Sequence, residues 1–359
     1  MEKAFELYCM ALAIELAKKG LRKVKSNPMV GCVIGKNKKI IGTGYHKEFG
    51  GGHAEILALL EAGKNAKGAT MLVSLEPCNH IGKTPPCTDA IIRAGVKRVV
   101  VAARDPNPVA FGGIKKLKEK GIEIEIGLLE KQATEFNRDF FKLVKTGVPF
   151  VSLKIAMTLN EKISWGNGRR KKITGAKADA VVQRMRAAHD AILVGINTVL
   201  KDNPRLTARA KGAINPTRIV VDSRLHFPFN ARMLKEDGET IVFCTKRAKK
   251  SKIKGLEKKG VKIIAAKEKN KKIDLKWLLK KLAGLGIKNV LCEGGAAINE
   301  SLLKEKLVDE VAFFIAPKLG KNGLDAFGKE HEKIMGNLRL KEIQTESLGK
   351  DILVIGKIS

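Results

Sequence analysis

Residues 70–87 read Thr-Met-Leu-Val-Ser-Leu-Glu-Pro-Cys-Asn-His-Ile-Gly-Lys-Thr-Pro-Pro-Cys. The apolar run that ends at Leu75 is typical of a buried strand, and a polar, proline-rich loop follows it. A helical pattern then begins at Cys87 and is closed by Gly95. A strand, a loop and a helix in this order predict a layered α/β domain.

The same alternation of strands and helices extends along the whole chain. In the first part, helices are predicted at 2–19, 53–62, 87–94, 114–120 and 130–144, and strands at 30–34, 39–43, 70–75, 98–103 and 122–126. Residues 145–149 are predicted as a linker between a first domain, 1–146, and a second, 147–359. In the second, helices are predicted at 176–188, 275–282 and 296–304, a loop at 195–209, and strands at 150–156, 191–194, 218–222, 240–244, 261–264, 290–293, 311–315 and 352–355.

Composition excludes several classes of protein. The chain of 359 residues is 44% hydrophobic, which excludes a disordered protein and suffices for two cores. It has no run of 18 apolar residues and no signal-peptide pattern, so we expect a cytoplasmic protein without a membrane span. The cysteines are too sparse for a disulfide scaffold. Four of them, Cys9, Cys32, Cys244 and Cys292, lie in apolar runs typical of core positions.

The net charge is +32, from 69 Lys and Arg against 37 Asp and Glu. Residues 1–146 carry 25 − 15 = +10 and residues 147–359 carry 44 − 22 = +22, so the charge is spread over both halves. One interpretation is a nucleic-acid partner; the other is a solvated lysine-rich surface whose field attracts small phosphorylated ligands. Aromatic residues make up only 5%, which leaves little material for stacking bases, and we favour the second interpretation.

A histidine, a glutamate and two cysteines form the sharpest chemical pattern in the chain. His-Ala-Glu stands at 53–55, and cysteines follow at 78 and 87. A catalytic zinc takes three protein ligands and lowers the pKa of a bound water, whose proton a nearby carboxylate can carry to a leaving amine. The pattern is typical of zinc-dependent base deaminases, so we predict zinc ligands at His53, Cys78 and Cys87 and a catalytic Glu55.

The spacing of the two cysteines differs from the usual pattern. Eight residues separate them, where base deaminases usually have two. In the alternative interpretation, His53 caps a helix and both cysteines are buried thiols without a metal. The combination of all four residues, with a predicted helix on each side, favours the zinc site.

The long loop at 77–87, with Asn-Pro-Met-Val-Gly at 27–31, Gly-Tyr-His at 44–46 and Asp-Pro-Asn-Pro at 105–108, resembles the pyrimidine deaminases of riboflavin biosynthesis. The whole chain resembles the bifunctional proteins in which that deaminase is fused to a reductase. The resemblance implies a cytidine-deaminase-like three-layer α/β/α domain followed by a dihydrofolate-reductase-like α/β domain. It also implies a phosphoribosylated pyrimidine substrate, NADPH, reduction of the ribosyl chain to ribityl, and a homo-oligomer.

By matching position, the resemblance implies deaminase substrate contacts at Asn27 and Lys83. Asn27 can equally be a turn residue before a proline, and Lys83 an exposed loop lysine. His46 and His80 could orient the site, but we interpret them as loop histidines.

Two segments of the second half indicate phosphate handling. Residues 292–297, Cys-Glu-Gly-Gly-Ala-Ala, follow a predicted strand and open a helix, where backbone N–H groups can meet a phosphate. Residues 195–209 place Thr, Asp, Asn and Arg after another strand. Either segment can also be an ordinary turn.

Both segments resemble the reductase half of the family, and matching positions imply its ligand contacts. Cofactor contacts are implied at Ala156, Lys172, Thr198, Asp202, Ser223, Gly295, Ala296, Ala297, Ile298, Asn299, Glu300 and Ser301. Substrate contacts are implied at Arg170, Arg186, Leu206, Arg209 and Glu293. Guanidinium groups suit a phosphate, although Arg186 can also be a helix-surface residue. Lys154, inside an apolar strand, is a further candidate.

Two other functions stay open at this point. Arg170 and Lys172 replace a serine and a tryptophan of the family, which leaves open a chain whose deaminase works without its reductase. The net charge leaves open a nucleic-acid base deaminase of the tRNA type. The long loop between the cysteines and the whole second domain count against the latter.

Overall fold

The computed structural model describes residues 3–80, 85–110, 112–166, 172–210, 212–328 and 331–359. The chain divides into two compact units, Met1–Gly147 and Val148–Ser359. Within the described ranges, no helix combines the length and the apolar character needed to cross a membrane.

The first unit is a five-stranded sheet with helices on both faces. The helices are α1 (Lys3–Lys18), α2 (Ala54–Ala62), α3 (Cys87–Arg93), α4 (Gly113–Glu119), α5 (Glu130–Phe136) and α6 (Arg138–Thr146). The strands are β1 (Gly31–Lys36), β2 (Lys39–Tyr45), β3 (Thr70–Leu75), β4 (Arg98–Ala103) and β5 (Glu123–Ile126). The strand order is β2-β1-β3-β4-β5, with β1 antiparallel to β2 and β3, and β3, β4 and β5 parallel.

Alternation along the strands gives this sheet a core on each face. Val33 and Leu72 pack with the side chains of α1, while Ile34 and Val73 pack with those of α2. The predicted three-layer α/β/α arrangement is therefore confirmed. The single helix predicted over 130–144 is wrong, because two helices meet at Asn137. The buried side chain of Asn137 accepts from the backbone N–H of Met29 and donates to the Met29 carbonyl, each at 2.9 Å. This contact with a residue distant in sequence accompanies the break between the two helices.

The second unit is built on a nine-stranded sheet. The helices are α7 (Ala176–Ala188), α8 (Ile196–Asp202), α9 (Lys250–Glu257), α10 (Leu275–Gly284), α11 (Ala296–Lys304) and α12 (His331–Asn337). The strands are β6 (Phe150–Thr158), β7 (Ala191–Gly195), β8 (Thr217–Val221), β9 (Thr240–Cys244), β10 (Val261–Ala265), β11 (Glu268–Lys269), β12 (Lys272–Ile273), β13 (Asn289–Cys292), β14 (Glu310–Ala316), β15 (Leu340–Leu348) and β16 (Asp351–Ile358). Short 3-10 helices lie at Gly63–Ala66 in the first unit and Arg232–Lys235 in the second.

The order in the large sheet is β10-β9-β8-β7-β13-β6-β14-β16-β15, and β11 and β12 form a separate two-stranded sheet. The strands from β10 to β14 in this order are parallel, and the hairpin of β16 and β15 closes the sheet in the antiparallel sense. On β9, Phe243 packs with α10 on one face and Val242 with α9 on the other, so this unit is also layered α/β as predicted. The loop predicted over 195–209 is wrong in its first half, which forms α8 and buries Val199.

Arg218 of β8 is a fully buried arginine that stabilises one turn of the second unit. Its Nε donates to Thr240 Oγ1 at 2.9 Å, and its Nη1 and Nη2 donate to the carbonyls of Asp237 and Glu236, each at 3.1 Å. Nη2 also donates to the Gly238 carbonyl. Burial lowers the pKa of this guanidinium, but arginine stays charged because its ordinary pKa lies so high. One side chain thus satisfies three backbone carbonyls in the connection from β8 to β9.

We predict that Arg218→Met lowers the free energy of unfolding by about 3 kcal/mol, because buried carbonyls lose their donors. Denaturant unfolding followed by circular dichroism measures the change. The control is Arg224→Met, which alters an exposed arginine in the same connection and should change the free energy by less than about 0.5 kcal/mol. An equally small effect of both substitutions would contradict the role given to Arg218.

Candidate functional sites

The three residues predicted to bind zinc lie close together at the carboxyl end of β3. His53 is the N-cap of α2, Cys78 follows β3, and Cys87 is the first residue of α3. The Nδ1 atom of His53 lies 3.2 Å from the sulfur of Cys87 and 3.5 Å from that of Cys78. The three ligand atoms lie within 4.8 Å of one another, so one ion can reach all of them.

The close contacts in this cluster shift the pKa values of its three side chains. The contact between the two sulfurs lowers the pKa of Cys78 to about 4 and raises that of Cys87, and the contact with Cys78 raises the pKa of His53. The backbone N–H of Cys87 also donates to the sulfur of Cys78 at 3.5 Å. A divalent cation would bind both sulfurs as thiolates, and a set of one imidazole and two sulfurs fits zinc.

Glu55 lies in the first turn of α2, beside this cluster. Its side chain is only 3% exposed, and burial raises the pKa of its carboxyl to about 7. A carboxyl that titrates near neutral pH can both accept and release a proton. Glu55 is therefore placed and tuned for proton transfer next to the metal ligands.

Two glycines of β2 allow α2 to reach this position. A Cβ atom at Gly44 would lie 2.1 Å from the carbonyl oxygen of Ala54, and one at Gly42 would lie 2.3 Å from that of Ala58. Only glycine permits so close a contact between helix and strand backbones. The Gly-Tyr-His motif noted in the sequence thus sets where His53 and Glu55 lie.

His46 is part of the site, and its interpretation as a loop histidine is wrong. The ring is buried and stands edge-on to His53, with 5.4 Å between the ring centroids. Burial lowers the pKa of His46, which favours the neutral ring. Nδ1 lies 3.2 Å from the Gly52 carbonyl, which can only accept, so Nε2 must accept from the amide of Asn27, also at 3.2 Å. His46 therefore orients the Asn27 side chain and leaves the side-chain carbonyl oxygen of Asn27 for a ligand. The other implied substrate contact of this unit, Lys83, lies outside the described residues.

The second unit contains a cavity of about 410 Å³ beside α7 and residues 202–209. Its lining is strongly cationic. Six of the lining side chains are basic, those of Lys154, Lys172, Arg186, Arg205, Arg209 and Arg232, and two are acidic, those of Asp179 and Asp202. A concave site with this excess attracts anionic ligands.

Arg186 and Glu293 form a buried bidentate ion pair at this cavity. Nε and Nη2 of Arg186 donate to the two carboxylate oxygens at 2.6 and 2.8 Å, and Nη1 donates to the Thr207 carbonyl at 3.2 Å. Burial alone would raise the pKa of Glu293, but Arg186 and Lys154 lower it below its usual value. Burial lowers the pKa of Lys154. The pair holds α7 against the start of α11 and fixes one wall of the cavity.

The other cavity cations differ in whether they are already paired. Lys172 pairs with Asp179, and Arg205 pairs with Glu236 at 3.2 Å. The guanidinium groups of Arg209 and Arg232 contact no carboxylate among the residues described here. These two groups are free to bind an anion in the cavity. Sequence reasoning missed Arg232, because an exposed arginine 23 residues beyond the end of the 195–209 segment gives no local signal. Arg205 lies inside that segment and could have been found.

The implied cofactor residues fall into two groups. Thr198 and Gly295 are neighbours, since a Cβ atom at Gly295 would lie 3.5 Å from the Thr198 hydroxyl, and the Gly195 N–H donates to the Gly294 carbonyl at 2.9 Å. Ile298 packs beside Gly195, so the starts of α8 and α11 face each other at the ends of β7 and β13. Asp202 and Lys172 instead line the cavity, as do the implied substrate residues Arg186, Leu206 and Arg209.

Several implied residues are not brought into the cavity lining. Asn299 is buried and donates to the Ala326 carbonyl at 2.9 Å, so its amide faces the interior. Ser301 donates to the Ala297 carbonyl of its own helix. Ala156 lies in β6, Ser223 directly after β8, and Ala296 and Glu300 in α11. Arg170 lies outside the described residues.

Comparisons with known proteins agree with both halves of the chain. The family model for the cytidine and deoxycytidylate deaminase zinc-binding region matches residues 3–103, and that for the RibD C-terminal domain matches residues 149–354. The riboflavin biosynthesis protein RibD of Aquifex aeolicus is 43% identical over 351 residues, which cover 97% of both chains.

Solved structures give the same result. Acinetobacter baumannii RibD superposes with a TM-score of 0.90 at 38% identity, with 100% of both chains covered. A Thermotoga maritima protein described as a diaminohydroxyphosphoribosylaminopyrimidine deaminase and 5-amino-6-(5-phosphoribosylamino)uracil reductase gives a TM-score of 0.87 at 36% identity over 99% of both chains. The resemblance and the fold class predicted from the sequence are confirmed, and the chain belongs to the RibD family of riboflavin biosynthesis proteins.

Proposed function

We propose that the chain catalyses two consecutive steps of riboflavin biosynthesis. The first, assigned to residues 1–146, is zinc-dependent hydrolytic deamination of 2,5-diamino-6-(5-phosphoribosylamino)pyrimidin-4-one. The second, assigned to residues 147–359, is NADPH-dependent reduction of the ribosyl chain of the resulting uracil to ribityl. The observation that carries the proposal is the convergence of His53, Cys78 and Cys87 beside a buried Glu55, in a chain whose second unit has a cationic cavity. The expected homo-oligomer and cytoplasmic location stay predictions.

In the deaminase unit, His53, Cys78 and Cys87 would hold a zinc ion, which supplies hydroxide near neutral pH and a Lewis acid. Glu55 takes the proton of the attacking water and delivers it to the departing amine, so that ammonia leaves as the carbonyl forms. The Asn27 carbonyl oxygen accepts a hydrogen bond from an N–H of the pyrimidine, because His46 already engages the Asn27 amide.

In the reductase unit, NADPH would supply the hydride. Thr198 and the N-terminus of α11 bind cofactor phosphate through a hydroxyl and backbone N–H groups. Arg209 receives the substrate phosphate, since its guanidinium faces the cavity without a carboxylate partner in the described ranges. The Arg186–Glu293 pair keeps that wall of the cavity rigid.

A two-stage assay tests the whole proposal. With the pyrimidine substrate alone, the full chain should release one ammonia per substrate and accumulate the aminouracil. Addition of NADPH should then oxidise one NADPH per aminouracil and form the ribityl product. Ammonia release without NADPH oxidation would restrict the function to deamination, and deamination of a tRNA stem-loop in place of the pyrimidine would overturn the proposal.

The zinc ligands can be tested apart from activity. Cys87→Ser should reduce bound zinc from about one per chain to near zero after dialysis against a weak chelator, because the third ligand is lost. Metal content measured by atomic emission gives the result. Cys9→Ala, which changes a buried thiol on α1, should retain zinc. Equal zinc content in both variants would contradict the assigned ligand set.

The role of Glu55 can be separated from metal binding. Glu55→Gln should keep its zinc but lower the deamination rate by about 10³-fold, because the amide cannot carry a proton. Ammonia release under saturating substrate measures the rate, and Glu61→Gln, an exposed change on the same helix, is the control. Turnover by Glu55→Gln at the rate of the control would rule out the proton-transfer role.

The phosphate role of Arg209 predicts an effect confined to one half-reaction. Arg209→Gln should raise the KM for the aminouracil at least about 10-fold, because one charge-assisted contact is lost, and should leave deamination unchanged. Arg184→Gln, an exposed change on α7 away from the cavity lining, is the control. NADPH oxidation at varied aminouracil concentration measures the KM, and an unchanged KM would remove Arg209 from the phosphate site.

A further inference from the structure

One region of the second unit carries a dense positive charge that neither proposed reaction uses. Residues 246–281, called here the basic edge, contain 16 Lys and Arg against three Asp and Glu, a net +13 of the +32 of the chain. The net charges of the two halves, +10 and +22, do not reveal this concentration. None of the residues that line the cationic cavity belongs to the basic edge.

The fold arranges these residues around one border of the large sheet. Strand β10 is the last strand of the nine-stranded sheet at this border. Leu256 of α9 packs with Val261 on one face of the sheet, and Leu278 of α10 packs with Ile273 on the other. The hairpin of β11 and β12 connects the two faces. The outward sides of both helices, the hairpin and the border strand therefore form one surface that wraps the edge of the sheet.

The cationic side chains of the basic edge project into solvent, and few are neutralised. Fifteen of the 16 side chains are exposed. The exception is Lys252, which is half-buried and lies over the ring of Phe229, with Nζ 5.8 Å from the ring centroid. Among the residues that the structure describes, ion pairs engage three of them: Arg247 with Glu268, Lys262 with Glu239, and Lys269 with Glu305. The remaining positive groups face water without a carboxylate.

Stability of the fold does not explain this surface. Stabilising surface networks alternate both signs of charge, whereas the basic edge has an excess of one sign. Like charges separated by less than the Debye length, about 10 Å at 0.1 M salt, repel each other and destabilise the compact state. The arrangement therefore opposes folding unless an anionic partner covers it.

The character of the surface indicates the chemistry of that partner. Among the described residues, none of the large hydrophobic side chains that are exposed lies within 246–281, and Trp277 packs into the core against Phe243. A protein interface or an embedded membrane helix needs apolar anchors. Fifteen of the 16 cations are lysines, which bind phosphate as point charges. The one aromatic residue of the basic edge, Trp277, packs into the core and offers no platform on which the bases of a single strand could stack. We propose that the basic edge binds the phosphate backbone of a double-stranded nucleic acid without sequence preference.

Fluorescence anisotropy with the zinc-loaded full chain tests this binding. The probes are labelled RNA and DNA duplexes of about 24 base pairs, titrated at several NaCl concentrations between about 50 and 300 mM. Affinity should fall steeply with salt, since each neutralised phosphate adds about 0.9 to the logarithmic slope. The two duplexes together show whether the partner is RNA, DNA or either.

Matched variants locate the binding surface. Joint substitution of Lys250→Gln, Lys254→Gln, Lys258→Gln and Lys262→Gln should weaken binding at least about 10-fold at 100 mM salt and reduce the salt slope by about two. Joint substitution of Lys115→Gln, Lys118→Gln, Lys120→Gln and Lys131→Gln removes the same charge from exposed positions of the first unit and should leave affinity within about twofold. Circular dichroism spectra and thermal unfolding that match those of the unsubstituted chain show that each variant is folded.

Three results would overturn the proposal. The first is that neither duplex binds at 100 mM salt. The second is that both quadruple variants lose affinity equally, which would make binding a property of net charge alone. The third is that phosphatidylglycerol vesicles bind while the duplexes do not. Each of these outcomes is independent of whether the two proposed reactions occur.

Discussion

The contact of one imidazole with two sulfurs organises the first unit. His53, Cys78 and Cys87 belong to three different elements, and their side chains bring the starts of α2 and α3 together with the loop after β3. The close approach of α2 to β2 at two glycines brings the histidine there. Buried groups that carry or share charge are costly without a partner, so a cation bound at this point stabilises the same backbone arrangement that creates the site. Folding and metal affinity in this unit are therefore linked.

The second unit solves a related problem with charges that neutralise each other. Arg186 and Glu293 are both buried, and their bidentate pairing makes that burial tolerable. Because this pair is closed, it supplies structure and leaves little net charge for a ligand. In the proposed reaction, the cations without a carboxylate partner among the described residues, such as Arg209, would attract the phosphate. In both units the residues that hold the site and those that act on a ligand lie close together but do different work.

Sequence patterns predicted residues whose chemistry is restricted, and they failed where burial decides. Few residue types bind zinc, so a histidine and two cysteines near helix starts were enough to select three side chains that the fold brings together. His46 carries no such signal, since only the folded loops around Asn27 and Gly52 bury it and give its two nitrogens partners. Asn137 interrupts a helix for the same kind of reason, through a contact with Met29 that is distant in sequence. Local periodicity contains no information about such contacts, whereas the alternation of strands and helices contains enough for both layered folds.

Charge illustrates the same limit at the scale of a surface. The net +32 divides between the two halves in a way that matches an ordinary solvated surface. The net charge of each half contains no information about where the charges lie. The strand order places β10 at a border of the sheet, and the residues on either side of β10 then face outward together. Repulsion depends on the distance between charges and not on their sum, so thirteen excess charges on one edge cost more than the same number scattered over two units. A chain that retains this arrangement keeps an unfavourable electrostatic energy in its free state, and a bound polyanion would relieve it.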